Sequence, residues 1–222
     1  MKAGVLVFPG SNCDRDMAEG FRHAGFDVTM VWHKETALPD GLDIVGVPGG
    51  FSYGDYLRCG AIAAQSPIMG AVRSFAQSGG HVLGVCNGFQ VLCETRLLPG
   101  VLMRNARLKF VCRPEALTVT TTDSPYTNAF TSGAEVTFPI AHHDGNYQID
   151  ADGLAALQAE DRVAFTYRDN PNGSVADIAG VLSANRRVLG MMPHPERAVE
   201  DLQGGIDGAQ VFASLAGALV AA

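Results

Sequence analysis

His81-Val82-Leu83-Gly84-Val85-Cys86-Asn87-Gly88-Phe89-Gln90-Val91-Leu92-Cys93-Glu94 passes from a short apolar run to a helical pattern through a Gly-x-Cys-x-Gly turn. The run reads as a buried strand over 81–85 and the segment after it as a helix over 87–95. A cysteine at such a strand-to-helix turn has the sequence form of a nucleophile elbow. The flanking glycines permit a strained backbone and close approach of neighbouring segments, while the helix N-terminus offers unpaired N–H groups and positive potential to a thiolate. Taken alone, the pattern equally suits one more small core residue, because free cysteines mostly serve as packing groups.

Working outward, strand patterns near 3–8, 27–32 and 43–47 alternate with helical ones near 14–24 and 67–78. Strands separated by helices predict an α/β fold with a parallel sheet covered on both faces. From about 107 to 190 the texture changes to short β-rich runs, Leu117–Thr121, Val136–Ile140 and Val175–Gly180, with turn signals at Asp123-Ser124-Pro125 and Asn170-Pro171-Asn172-Gly173. These predict an antiparallel β extension or a second sheet attached to the first. No linker, repeat or low-complexity segment interrupts the chain, which reads as one domain over 1–222. Ligands of such sheets bind at the carboxyl ends of the strands. Three loops stand there: Pro9-Gly10-Ser11-Asn12, the stretch from Pro48 to Asp55, and the turn after Val85.

Composition excludes several functions. The 222 residues are 47% hydrophobic with a mean hydropathy of +0.11, enough for a well-filled core rather than disorder. A formal net charge of -7 and no Lys/Arg run argue against nucleic acid or an anionic membrane as the main partner. The five cysteines, at 13, 59, 86, 93 and 112, form no C-x-x-C pair and no disulfide framework, which points to a reducing cytoplasm. Met1–Phe8 is too short an apolar run for a signal peptide and ends at Pro9-Gly10. The uncharged stretch Ala209–Ala222 falls short of the roughly 20 residues of a membrane span and reads as a buried closing helix.

A thiol that attacks a carbonyl needs a base, a group that orients the base, and N–H donors for the oxyanion. His194-Pro195-Glu196 follows a strand-like Arg187–Gly190. If prolines 193 and 195 keep this segment extended, residues two apart point the same way and Glu196 reaches the His194 imidazole. With a pKa near 6.5 that imidazole can accept the thiol proton and return it to a leaving amine. By itself, His-Pro-Glu also reads as a plain loop before a helix, with Glu196 at the helix N-terminus. Gly49-Gly50 lets backbone amides approach a ligand, and the amides of Gly50 and Asn87 would make a two-donor oxyanion hole. His142-His143-Asp144 is a weak metal pattern, since adjacent strand side chains point apart and no further ligands accompany it, so no metal is expected. The remaining cysteines, at 13, 59, 93 and 112, read as packing residues.

Gly-Val-Cys-Asn-Gly-Phe-Gln at 84–90, Pro-Gly-Gly-Phe-Ser-Tyr-Gly-Asp at 48–55 and His-Pro-Glu at 194–196 resemble the class I (triad) glutamine amidotransferases, a flavodoxin-like α/β family. Phe-Pro-Gly-Ser-Asn-Cys-Asp-Arg-Asp at 8–16, Arg104-Asn105 with Phe110 and Arg113, and Pro-Ile-Ala-His at 139–142 narrow the resemblance to the glutaminase subunits of phosphoribosylformylglycinamidine synthases. The resemblance implies Cys86 as nucleophile, His194 as acid/base, Glu196 as its orienter, Gly50 and Asn87 amides at the oxyanion, and Gln90 helping to hold glutamine. It also implies a large synthetase subunit that uses ATP and Mg, a small bridging subunit, and no cofactor in this chain. His143 stands where the family has a glycine, and Asp144 where it commonly has glutamate. Two other readings are a stand-alone cysteine hydrolase on the same fold and a binding protein with a dead site. An intact Cys86, with His194 and Glu196 well after the elbow, favours the amidotransferase.

Overall fold

The computed structural model describes residues 1–221. The first half runs β1 (Lys2–Val7), α1 (Asp14–His23), β2 (Asp27–Trp32), β3 (Ile44–Val47), α2 (Ile68–Gln77), β4 (His81–Val85) and α3 (Asn87–Glu94). The second half runs β5 (Val101–Met103), β6 (Val111–Val119), β7 (Glu135–His142), β8 (Asn146–Gln148), α4 (Ala151–Ala159), β9 (Val163–Tyr167), β10 (Ile178–Leu182), β11 (Val188–Met191) and α5 (Ala209–Val220).

Nine of these strands form one sheet in the order β2-β1-β3-β4-β11-β10-β9-β6-β7, and β5 pairs with β8 in a small second sheet. The neighbours from β2 to β11 are parallel, and those from β11 to β7 antiparallel. Thus the α/β reading and the antiparallel extension both hold. The central strands β3 and β4 are buried at every position, as expected for strands covered on both faces. Met17 and Phe21 of α1 pack over Gly46, while Phe89 and Leu92 of α3 pack over Gly190 and Gly84. Gly46 is in register with Leu83, and Gly84 with Gly190. Alternation along the strands therefore puts α1 and α3 on opposite faces. On the α1 face, Phe212 of α5 meets Phe21 edge-on with ring centroids 5.3 Å apart. Each such fully buried side chain contributes roughly 1.5–3 kcal/mol.

Two expectations change. Val175–Asp177 forms a 3-10 turn rather than strand, with Ala176 and Asp177 at φ 49° and 57°. Left-handed backbone breaks β pairing, and Asn170 Nδ2 holds the turn by donating to Ser174 O and Asp177 Oδ1. The closing helix ends at Val220 and buries one face through Val211, Phe212, Ser214 and Leu215, while Val220 is exposed. Ala222 of that predicted helix lies outside the described residues.

What positions the site is the register between β4 and β11. Val85 pairs with Met191, so the chain leaving each strand emerges at the same carboxyl edge of the sheet.

Candidate active site

Cys86 stands between β4 and α3 with φ 52° and ψ -108°. A non-glycine residue there stores about 1–3 kcal/mol of strain, held by its surroundings. Cys86 N donates to Met191 O at 2.8 Å. The flanking glycines make the turn possible by close approach: a Cβ on Gly88 would lie 1.9 Å from Val47 O, and one on Gly84 2.4 Å from Leu92 Cδ1.

His194 comes from the loop after β11, and its N–H donates to Pro139 O at 2.8 Å. Its Nδ1 donates to Glu196 Oε1 at 2.6 Å. The meeting does not use the extended segment the sequence predicts. Pro195–Arg197 is a 3-10 turn, since the fixed φ of proline suits the first position of a helical turn as well as an extended chain. Glu196 therefore serves no long helix, and its carboxylate faces the imidazole. Cys86, His194 and Glu196 are 5%, 1% and 0% exposed, so no water screens this pair. Burial opposes charge on His194, but Glu196, with Cys86 and Cys13 adding to it, outweighs burial and holds the imidazole well above its ordinary pKa. A Cβ on Gly49 would stand 2.8 Å from His194 Cε1, 3.2 Å from Cys86 Cβ and 3.3 Å from Cys13 Sγ. All three side chains converge over this glycine.

The loops the sequence singles out do meet. Phe51 N donates to Gly10 O at 3.1 Å, and Tyr53 N to Pro9 O at 2.6 Å. Gly50 adopts φ 116°, a Cβ on it would lie 2.6 Å from Asn12 N, and it borders the Cys86 recess. Asn87 is the first residue of α3, where helix N–H groups lack intrahelical partners. Among the described residues, neither the Gly50 nor the Asn87 amide donates to a loop backbone or side-chain acceptor. The Asn87 side chain accepts from Ser52 N at 3.3 Å and donates to Asp55 Oδ1 at 3.2 Å and to Gln90 Oε1 at 2.8 Å. Gln90 Nε2 in turn donates to Asp144 O at 2.7 Å. Both ends of the Gln90 carboxamide are thus engaged within the protein, tying the elbow to two loops while the side chain borders the recess.

The recess opens past Phe51, Asp55, His143 and Asp144 into a groove of about 560 Å³ that Arg58 and Arg104 also line. Burial raises the Asp55 pKa, against a hydrogen bond from Cys59. A larger cleft of about 720 Å³ lies beside His81 and Arg187, where β4 begins, and is remote from the cysteine at its end.

Sequence reasoning treats four cysteines as packing residues, and the structure corrects three of them. Cys13 adjoins His194 and accepts from Arg197 Nη2 at 3.2 Å, and burial raises its pKa. Cys59 borders the recess and groove, and Cys112 is exposed. The signal for Cys13 was its place directly after Pro9–Asn12, one of the three loops at the carboxyl edge of the sheet. One donor atom each from Cys13, His194 and Glu196 lies within 4.8 Å of the others, with the His–Glu hydrogen bond already inside that group. His142, His143 and Asp144 all border the Cys86 recess, with His142 buried and His143 Nδ1 3.5 Å from Asp144 Oδ2, while His143 and Asp144 also flank the groove.

A cysteine at a strand-to-helix elbow beside a buried histidine–glutamate pair, at the carboxyl edge of a parallel sheet, is an arrangement suited to acyl transfer, the chemistry of amidotransferases among others. Residues 1–210 match the CobB/CobQ-like glutamine amidotransferase domain, and the chain belongs to that family. Within it, the chain is similar to phosphoribosylformylglycinamidine synthase subunit PurQ of Jannaschia sp. (strain CCS1), 76% identical over 222 residues with 100% of both chains covered. The subunit of that name from Cereibacter sphaeroides is 68% identical over 219 residues, 99% of each chain. A chain in the structure of PurLQS from Thermotoga maritima superposes with a TM-score of 0.91 at 44% identity, covering 98% of each.

Proposed function

We infer that this chain is the glutaminase subunit of a phosphoribosylformylglycinamidine synthase. It hydrolyses glutamine to glutamate and ammonia and passes the ammonia to a large synthetase subunit, to which a small third subunit bridges it. That synthetase makes formylglycinamidine ribonucleotide in de novo purine biosynthesis. Full-length similarity to subunits of that name supports the reading. The observation that carries the chemistry is the buried His194–Glu196 pair, 2.6 Å apart, beside an elbow cysteine.

Cys86 gives its proton to His194 and attacks the γ-carbonyl carbon of glutamine. The oxygen becomes an oxyanion facing the Gly50 and Asn87 amides, a donor set in which one hydrogen bond typically contributes 10²–10³ in rate. His194 returns the proton to the nitrogen, the C–N bond breaks, and a glutamyl thioester remains. Water activated by His194 then releases glutamate and restores the thiol. Glu196 holds the imidazole in the tautomer this sequence needs, and Gln90 frames the pocket for the substrate. Ammonia must travel as NH3, because ammonium has no lone pair for the next reaction, and a dry passage into the synthetase meets that need. Tyr56, Leu57, Leu108 and Phe110 stand exposed near the groove, an apolar rim suited to a partner.

This chain works without a cofactor of its own, and ATP and Mg serve the synthetase. The enzyme acts in the cytoplasm, a place consistent with its five free thiols. No helix among the described residues is long and apolar enough to cross a membrane. The test is Cys86→Ala in the assembled complex. Glutamine-dependent synthesis should vanish while synthesis from added ammonia persists, and a variant that still hydrolysed glutamine would refute the mechanism.

A further inference from the structure

His142, the last residue of β7, is not used by the chemistry above, yet it is 2% exposed and borders the same recess as Cys86. Its protonation state follows from its neighbour. Asn105 Nδ2 donates to Lys109 O at 2.8 Å and to His142 O at 3.0 Å, so both amide hydrogens are committed. Asn105 Oδ1 is therefore the acceptor, taking Gly145 N–H at 3.0 Å and facing His142 Nδ1 at 3.1 Å. Hence Nδ1 carries the hydrogen, and in a neutral imidazole Nε2 is a bare lone pair. Burial first, and the facing His194 second, push the His142 pKa down to about 4, so no second proton is taken up at neutral pH. His142 Nε2 is buried without a hydrogen-bond partner, and so is His194 Nε2. His142, which borders the recess, and His194, close enough that its charge acts on His142, thus each keep an unpartnered nitrogen, one an acceptor and the other a donor once His194 is protonated.

We propose that His142 Nε2 accepts a hydrogen bond from the carboxamide nitrogen of the bound glutamine and then from the ammonia that nitrogen becomes, opposite the donor His194 Nε2. The proposal rests on the glutaminase reading above and adds a recognition group for the leaving nitrogen. In the tetrahedral intermediate that nitrogen has two N–H bonds and one lone pair. Holding one N–H on His142 stops rotation about the C–N bond and turns the lone pair toward His194. The C–N bond then breaks with its electron pair on nitrogen, the proton comes from His194, and the carbonyl of the Cys86 thioester re-forms. Because His142 offers a lone pair and no hydrogen on this side, it grips ammonia without protonating it. A purely structural histidine would need only the Asn105 contact. An apolar side chain would fill the space without leaving a buried acceptor unpaired, which costs free energy.

The assembled complex tests this with two substrates, L-glutamine and L-glutamate γ-methyl ester, whose leaving oxygen carries no N–H. In His142→Asn the shorter amide still reaches Asn105 but places nothing at the Nε2 position. In His142→Gln the carboxamide oxygen can occupy that position at the expense of the Asn105 contact. His142→Asn should lower kcat/KM for glutamine on the order of 10- to 100-fold, the loss expected for one hydrogen bond made at the reacting group, and lower that for the ester less than about threefold. His142→Gln should recover most of the glutamine rate. Equal losses on the two substrates, or His142→Gln no better than His142→Asn, would overturn the assignment and leave a structural role. Should His142→Asn fail to fold, the substrate ratio of His142→Gln decides, since a restored acceptor keeps the wild-type preference for the amide. A wild-type complex that hydrolysed the ester but not glutamine would instead remove the glutaminase reading itself.

Discussion

Replacing Glu196 by glutamine removes one charge from the core of the site while keeping its volume and an acceptor oxygen. In the wild-type protein the carboxylate is fully buried and lies 2.6 Å from His194 Nδ1. A hydrogen bond between charged partners contributes about 1.5–3 kcal/mol, which at about 1.4 kcal/mol per decade predicts a kcat lowered roughly 10- to 150-fold if the bond acts chiefly on the imidazolium. The pH profile supplies the sign. Burial opposes a proton on His194, and Glu196, followed by the two thiols, holds it there beyond the ordinary range. Without the carboxylate's charge, burial is less opposed and the imidazole loses its proton at lower pH. The alkaline limb of glutamine hydrolysis, measured as glutamate release by the assembled complex at saturating glutamine, should therefore move toward acid in Glu196→Gln. A limb that stays in place, with kcat within about twofold of wild type, would refute the role given to this pair.

Two other perturbations probe the supports of the site. Gly88→Ala places a Cβ 1.9 Å from Val47 O, a backbone atom that cannot swing aside, so denaturant unfolding should show a loss of about 1–3 kcal/mol together with weakened glutaminase activity; an unchanged midpoint would contradict the close approach. His142 predicts acid sensitivity. The unfolded chain protonates this imidazole near 6.5, whereas the native chain does so at about 4. Its contribution to stability is therefore complete above the unfolded value and lost as pH falls through this window, about 3 kcal/mol in all. Urea midpoints at neutral and acid pH should record that slope, and His142→Asn should flatten it; a slope unchanged in the variant would assign the sensitivity elsewhere.

The elbow was legible from residues 81–94 because its signals are local: an apolar run, a helical period, and glycines beside the one residue that turns between them. The reach of Glu196 to His194 was legible in outline, although the path through a 3-10 turn was not, since proline's fixed φ allows both backbones. The strand predicted over Val175–Gly180 holds from Ile178 and fails at Val175–Asp177 for a related reason. Side-chain bonds from Asn170 hold those residues in a left-handed turn, which apolar composition does not report. Gln90 was readable as a pocket residue from the family resemblance, but its engagement with Asn87 and Asp144 joins residues 54 positions apart.

By itself, the sequence determined the α/β class, the carboxyl-edge location of the elbow, and Cys86, His194 and Glu196 as the candidate nucleophile, base and orienter. Those readings follow from sterics, periodicity and side-chain chemistry, which act over a few residues. Only the tertiary structure decided that Cys13 borders His194, and that Cys59 borders the recess. It also decided that the Asn105 amide sets the His142 tautomer, and that His142 and His194 each keep a buried, unpartnered Nε2. These outcomes depend on which distant groups are buried together, because desolvation and hydrogen-bond exhaustion are properties of the packed neighbourhood and leave no mark in local sequence.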